Sequence, residues 1–161
     1  MTKTISLWRI ARETVNYSAD DLSGAGAAKT GNRWNHMGIP VVYTASHISL
    51  VAIELAVHLG ELAVIRDLFL VKVSVPKAVW DARQQLTIGK LNPAWSAVPS
   101  GRTSKEAGTL WAKRNVTALL EVPSVIVPEE TNVLINPAHP GSAKISATVV
   151  RQFLFDPRMN K

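Results

Sequence analysis

Apolar and polar positions along the chain fall into short blocks whose period changes often. Leu7 to Ala11 is a brief apolar run carrying Trp8 and Arg9, and it predicts a strand. Tyr17 to Gly31 is rich in Ser, Asp, Gly and Ala, and Gly24, Gly26 and Gly31 mark it as loop. Arg33-Trp34-Asn35, a turn at His36-Met37-Gly38 and the run Pro40 to Ala45 predict strand, turn and strand. Ser46 is the candidate N-cap of a helix over His47 to Leu59, with Gly60 as its stop. Leu68 to Pro76 alternates late in its run and closes at proline, as a strand does. From Trp80 to Arg102 no helical or strand period survives, and long excursions of this kind in compact domains are often functional. Thr103 followed by Glu106 is a capping-box pattern that opens a helix through Trp111 to Arg114. Short strands follow at Ala118 to Val122, Val125 to Val127 and Asn132 to Ile135, with the last at Gln152 to Phe155. No internal repeat is visible. Many short strands with two clear helices predict an α+β fold, not a βαβ dinucleotide fold.

Composition narrows the class. At 161 residues the chain fits a single domain, 1–161. An apolar content of 47% and a mean hydropathy of +0.09 exclude disorder, because such a chain buries enough surface to offset its ordering entropy. The 9 Gly and 9 Pro are scattered without period, which excludes collagen-like and low-complexity chains. No apolar run reaches the ~18 residues of a membrane span, and Met1 to Arg9 lacks the apolar core of a secretory signal. Without Cys there is neither a disulfide nor a thiolate metal site. The expectation is a cytoplasmic globule with no membrane partner. Its 18 Lys and Arg against 12 Asp and Glu give +6. Between Arg83 and Arg114 six cations face one acid, Glu106. Such a surface attracts nucleic acid, phosphorylated small molecules or an acidic protein, or is an ordinary solvated face.

Two polar residues stand out on the first helix. Glu54 and His58 alone interrupt its apolar surface beyond the first turn, and four-residue spacing puts them on one face. A helix apolar nearly all round is expected to be buried, where an unpaired carboxylate costs several kcal/mol. Glu54 is therefore either paired structurally with His58, placed at a narrow solvent edge, or needed for chemistry. Arg33 and Tyr43 lie on the two strands just before it. A guanidinium fork suits phosphate, a phenol offers a flat face and a hydroxyl, and a carboxylate stabilises positive charge on a sugar carbon. Together they describe a nucleotide site, although Tyr43 alone reads better as an amphipathic sheet residue. Gly24-Ala25-Gly26 with Gly31 is not a dinucleotide fingerprint, since no strand leads into it. The four histidines have no ligand spacing, so no metal is expected. Ser124 in Val122-Pro123-Ser124 lacks a nucleophile elbow.

Gly31-Asn32-Arg33-Trp34-Asn35, then Gly38 to Ala45, then Ala52-Ile53-Glu54 resembles the opening half of the RES domain. Gly108-Thr109-Leu110-Trp111, Val122-Pro123-Ser124, Asn132 to Pro140 and the closing Phe153 to Arg158 look like that family's later motifs, in the same order. The arginine, glutamate and serine that name the family fall on Arg33, Glu54 and Ser124, with Tyr43 as a fourth site residue. Glu121 departs from the pattern, standing where the family often has a basic residue.

The resemblance implies a toxin of a type II bacterial toxin–antitoxin pair, encoded beside an Xre-type helix-turn-helix antitoxin. It implies a split, mostly antiparallel β core flanked by helices, similar to ADP-ribosyltransferase toxins. The substrate would be NAD+, consumed by hydrolysis or phosphorolysis, with transfer of ADP-ribose to a protein as the alternative and no cofactor required. Glu54, Arg33, Tyr43 and Ser124 would be catalytic. Arg9, Arg33, Asn35, Tyr43 and Asn132 would hold the dinucleotide, and the toxin can self-associate within the antitoxin complex. Glu54 would face the oxocarbenium-like ribose, Tyr43 would stack on nicotinamide, Arg33 would hold the pyrophosphate, and Ser124 would orient the ribose or its neighbours by hydrogen bond without acting as a covalent nucleophile. Trp95 and Trp111, within the cationic stretch, are candidate anchors for the antitoxin, the alternative being that both belong to the toxin's own core. No direct nucleic-acid partner is implied, although the charge keeps a nuclease or nucleic-acid-binding toxin open.

Overall fold

A computed structural model describes residues 3–160, and of Ala63 only the backbone. Met1 and Thr2, read above as part of a segment without a signal core, lie outside it, as does Lys161. Among the described residues the strands are β1 (Thr4–Arg12), β2 (Val42–Ala45), β3 (Leu68–Pro76), β4 (Gln84–Gln85), β5 (Leu119–Pro123), β6 (Thr131–Ile135) and β7 (Ser146–Gln152). The helices are α1 (Ala25–Thr30), α2 (Ile48–Ala56), α3 (Lys77–Asp81) and α4 (Arg102–Arg114). The strands form one sheet in the order β4-β5-β6-β2-β1-β3-β7, antiparallel except for β4 with β5. The fold is α+β, as expected.

The sheet is split in the middle. β1 pairs β3 along its whole length, from Thr4 opposite Pro76 to Arg12 opposite Leu68. β2 pairs β6 from Val42 opposite Ile135 to Ala45 opposite Asn132. Between β1 and β2 there is a single register pair, Trp8 opposite Ala45. Side chains, not a ladder, join the two halves. Strand alternation sends Leu7 and Ala11 to one face, where they meet Val42, Val71, Val73 and Val75. Trp8 and Ile10 go to the other face, with Ala45, Leu68, Leu70 and the Leu50 and Val51 side of α2. Full burial of a side chain such as Leu7 stabilises by about 1.5–3 kcal/mol.

A third cluster, Trp34, Val41, Trp95, Trp111, Leu120, Val122 and Leu134, seats α4 on the far half. Trp95 stacks on Trp34 with centroids 6.0 Å apart, and Trp111 Nε1 donates to Thr117 Oγ1 at 2.9 Å. Both are nearly fully buried, at 5% and 3% exposure. They belong to the chain's own core and are not antitoxin anchors.

Several sequence expectations change. Arg33-Trp34-Asn35 is not a strand but a tight turn closed by an Asn32–Asn35 bridge. The backbone of α4 runs directly over it, since a Cβ at Gly108 would lie 1.9 Å from the Trp34 carbonyl oxygen. The stretch 17–31 is irregular only as far as Gly24, where α1 begins. α2 is shorter than expected, with His47 at the N-cap and Val57 at the C-cap; the Ser46 hydroxyl meets the His47 ring and makes no cap bond. Nor is α2 buried all round, for Ile53 is 38% exposed and the C-cap Val57 61% exposed. The excursion 80–102 contains part of α3, all of β4 and two short 3-10 turns. α4 starts at Arg102, and Glu106 pairs with Arg102 at 2.9 Å, so no capping box forms with Thr103. Val125 to Val127 is a turn, because the Ser124 side chain takes the N–H groups of Ile126 and Val127. The last strand is β7, which exposes nearly every residue and so carries no apolar alternation. Phe153 and Phe155 instead pack edge to face, 5.2 Å apart, in the cluster under α2.

Candidate active site

The split opens into a cavity of about 780 Å³, within the ~300–1,000 Å³ range of small-molecule sites. Arg9 and Ile10 of β1, Val42 to Ala45 of β2 and Glu54 of α2 line it. Trp8 and Ala45 stand opposite each other, so alternation puts Tyr43 on their face of the sheet and Arg9 on the other. The cavity therefore follows the split and draws lining residues from both faces.

Glu54 is fixed from across the chain. Its Oε1 accepts from Ser124 Oγ at 2.6 Å and from Asn132 Nδ2 at 2.8 Å. Ser124 is fully buried, and its Oγ also accepts the N–H groups of Ile126 at 3.1 Å and Val127 at 3.0 Å. That hydroxyl donates once and accepts twice, which uses its whole capacity. It is a holder of the carboxylate, with no lone pair left for attack. Among the described residues nothing hydrogen-bonds Glu54 Oε2. Glu54 is half-buried and does not pair with His58, which lines the same cavity.

Tyr43 is equally committed. Its hydroxyl donates to Asn35 Oδ1 at 2.6 Å and accepts from the Trp34 N–H at 3.1 Å. Burial pushes its phenol well above the ordinary value, against the Trp34 hydrogen bond and the Arg33 charge. Asn35 is fully buried and gives its Nδ2 to the carbonyls of Ala27, His36 and Ile39. It sits behind Tyr43 and does not line the cavity. Arg33 lines the cavity and donates Nη1 to the carbonyls of Trp95 at 3.0 Å and Ala97 at 2.9 Å. Burial lowers its pKa while Glu54 and Tyr43 raise it, and it stays a cation at any physiological pH. Arg9 donates to the Asp21 carbonyl and the Tyr17 hydroxyl. Glu121 lies elsewhere, in an ion pair with Arg83, whose guanidinium also covers the Trp80 ring.

The RES domain family matches residues 6–156. The chain belongs to the RES domain family. This RES chain is 51% identical over 156 residues to the Prs ADP-ribosylating toxin of Sphingobium sp. (strain YBL2), covering 97% of each. It is 35% identical over 156 residues to Toxin Res of Photorhabdus laumondii subsp. laumondii, covering 96% of this chain and 97% of that one. With Toxin Res of Yersinia enterocolitica it shares 32% over 155 residues, covering 95% and 98%.

Within this RES domain the structure brings Arg9, Arg33, Tyr43, Glu54 and Asn132 to one cavity, with Ser124 directly behind Glu54 and Asn35 behind Tyr43. Sequence reasoning missed Tyr17 and Lys105, which also line it. Tyr17 sits in a loop with no period, and Lys105 is one charge among six on a basic stretch, so neither carried a local signal. Among the described residues no group of three or more His, Cys, Asp or Glu is placed to hold a metal ion, and no helix is long and apolar enough to cross a membrane.

Proposed function

We propose that this RES domain is a bacterial toxin that breaks the nicotinamide–ribose bond of NAD+. The observation that carries the reading is the Glu54 carboxylate, held on one oxygen by Ser124 and Asn132 and left open on the other, in a cavity shared with Arg9, Arg33 and Lys105. When the bond between ribose C1′ and the pyridinium nitrogen breaks, the electron pair leaves with nicotinamide, which departs neutral. Positive charge appears on C1′ and the ring oxygen, and the open Glu54 oxygen stabilises it. A water or phosphate oxygen then bonds to C1′, and water gives up its proton to solvent. Tyr43, held neutral and fixed by Asn35, presents its ring to the base, and the cations face the diphosphate. No further cofactor enters the scheme.

A second reading makes a protein side chain the acceptor, giving ADP-ribosylation. It is favoured by the printed name of the 51%-identical relative. Both readings share the bond broken and differ in what attacks C1′. The RES resemblance further supports an Xre-type antitoxin as partner and the cytoplasm, where NAD+ is abundant, as the place of action. The test is purified protein with NAD+, with and without phosphate, with products identified by chromatography. Nicotinamide release is expected, together with ADP-ribose or its 1″-phosphate, or with a labelled acceptor protein when lysate is added. Glu54→Gln keeps an oxygen for Ser124 and Asn132, so it is expected to fold normally and to lose at least about 100-fold in turnover. Intact NAD+ after hours at high protein concentration overturns the reading, and so does a fully active Glu54→Gln.

A further inference from the structure

The cations of the cleft are not equivalent. Arg9 spends Nη1 on the Asp21 carbonyl at 2.9 Å and Nη2 on the Tyr17 hydroxyl at 3.2 Å. Arg33 spends Nη1 on the carbonyls of Trp95 and Ala97. Each arginine thus ties down a loop of the cavity wall with donors that a ligand would otherwise receive. Lys105 lines the same cavity, is half-buried, and among the described residues makes no hydrogen bond and no ion pair. The neighbouring acid, Glu106, is taken by Arg102. An ammonium with three donors, partly withdrawn from water and facing a cavity, is stabilised by an anion placed there. Ser100 lines the same cavity. The first turn of α4, which carries Lys105, contains no acidic residue, and Gly101 supplies no side-chain cap, so its peptide N–H groups add positive potential to the same wall.

We propose that Lys105 is the phosphoryl-binding subsite of the cleft. The inference rests on the reading of the cleft as an NAD+ site and assigns the contact that the arginines, being engaged with the wall, make less freely. The ligand chemistry is a phosphate oxygen, either of the dinucleotide's diphosphate or of inorganic phosphate acting as acceptor.

The test is calorimetric titration of wild type, Lys105→Met and Lys105→Arg with three probes: ADP-ribose, inorganic phosphate and adenosine. Methionine keeps the length of the stem and removes the charge; arginine keeps the charge and serves as the rescue, and a thermal melt checks the fold of each. Lys105→Met is expected to bind ADP-ribose or phosphate about tenfold more weakly, Lys105→Arg within threefold of wild type, and adenosine equally in all three. A loss confined to ADP-ribose, with a raised KM for NAD+, assigns the subsite to the diphosphate. A loss confined to inorganic phosphate, with turnover needing more phosphate, assigns it to the acceptor. Lys105→Met that binds both anions like wild type overturns the inference, as does wild-type protein that binds neither. If Lys105-dependent anion binding is found but no nicotinamide is released, the subsite stands and the cleavage reading falls. Nicotinamide release with anion affinity indifferent to Lys105 gives the reverse.

Discussion

Replacing Ser124 by alanine removes a hydroxyl that has no spare capacity. Its loss strips one donor from Glu54 Oε1 and leaves the N–H groups of Ile126 and Val127 without their acceptor. Two neutral bonds at about 1 kcal/mol each and one bond to a carboxylate at about 2 kcal/mol set the loss at ~4 kcal/mol if nothing relaxes. Both N–H groups are only part-buried, so water entering the turn brings the expected loss to about 2–3 kcal/mol. Equilibrium urea denaturation reads this as a lower midpoint at unchanged slope. Nicotinamide release is expected to fall tenfold or more, because Asn132 alone then aims the carboxylate, while the KM for NAD+ moves little. A loss under about 0.5 kcal/mol with wild-type turnover would refute the argument that the hydroxyl holds Glu54. A variant as stable as wild type but wholly inactive would refute it differently, by making Ser124 a reacting group.

Tyr43→Phe leaves Asn35 Oδ1 and the Trp34 N–H unpaired and is expected to cost about 1–3 kcal/mol at neutral pH, checked by urea denaturation. The raised Tyr43 pKa gives the pH dependence its sign: the native state keeps the proton longer than the unfolded chain. Its contribution is therefore whole below the unfolded value of about 10 and is lost as pH climbs past it. Comparing urea midpoints at pH 8 and pH 11, the wild type should lose more of this stability than Tyr43→Phe, and equal losses would refute the assignment. Gly108→Ala places a Cβ 1.9 Å from the Trp34 carbonyl oxygen, forces α4 off the turn beneath it, and should cost at least about 3 kcal/mol. A calorimetric melt should show a fall of roughly 6–12 °C.

What the sequence reveals follows how local each determinant is. β3 is legible to the residue because Leu68–Pro76 buries five apolar side chains, Leu68, Leu70, Val71, Val73 and Val75, and ends at a proline. β7 is not, because it is an edge strand with almost no buried side chain, and the aromatic residues just beyond it, Phe153 and Phe155, gave the stronger apolar signal. Trp34 and Trp95 illustrate the same limit, since each lies in irregular chain and finds its partner 61 residues away in sequence. In the site, Glu54 was conspicuous as a carboxylate on an apolar helix, and Tyr43 and Arg33 by their nearness to it. The bonds that fix Glu54 reach 70 and 78 residues along the chain, to Ser124 and Asn132. No local pattern encodes such a contact; the resemblance to the RES family placed Ser124 and Asn132 in the site but not their bonds to Glu54. The commitment of Arg33 to two backbone carbonyls, and the freedom of Lys105, are purely three-dimensional facts.

The lone register pair between β1 and β2 has a mechanical consequence. Backbone ladders resist shear because every rung must slip together, and this seam has one rung, with side-chain packing above and below. A molecule lodged along it acts as a bolt through a lap joint, tying Arg9 on one plate to Tyr43 on the other. Occupancy then adds RT ln(1 + [L]/Kd) to the stability of the whole chain, and the added stiffness should concentrate at the seam. Amide exchange in β1 and β2 should slow more on loading than exchange in β5 and β6, which have complete ladders already.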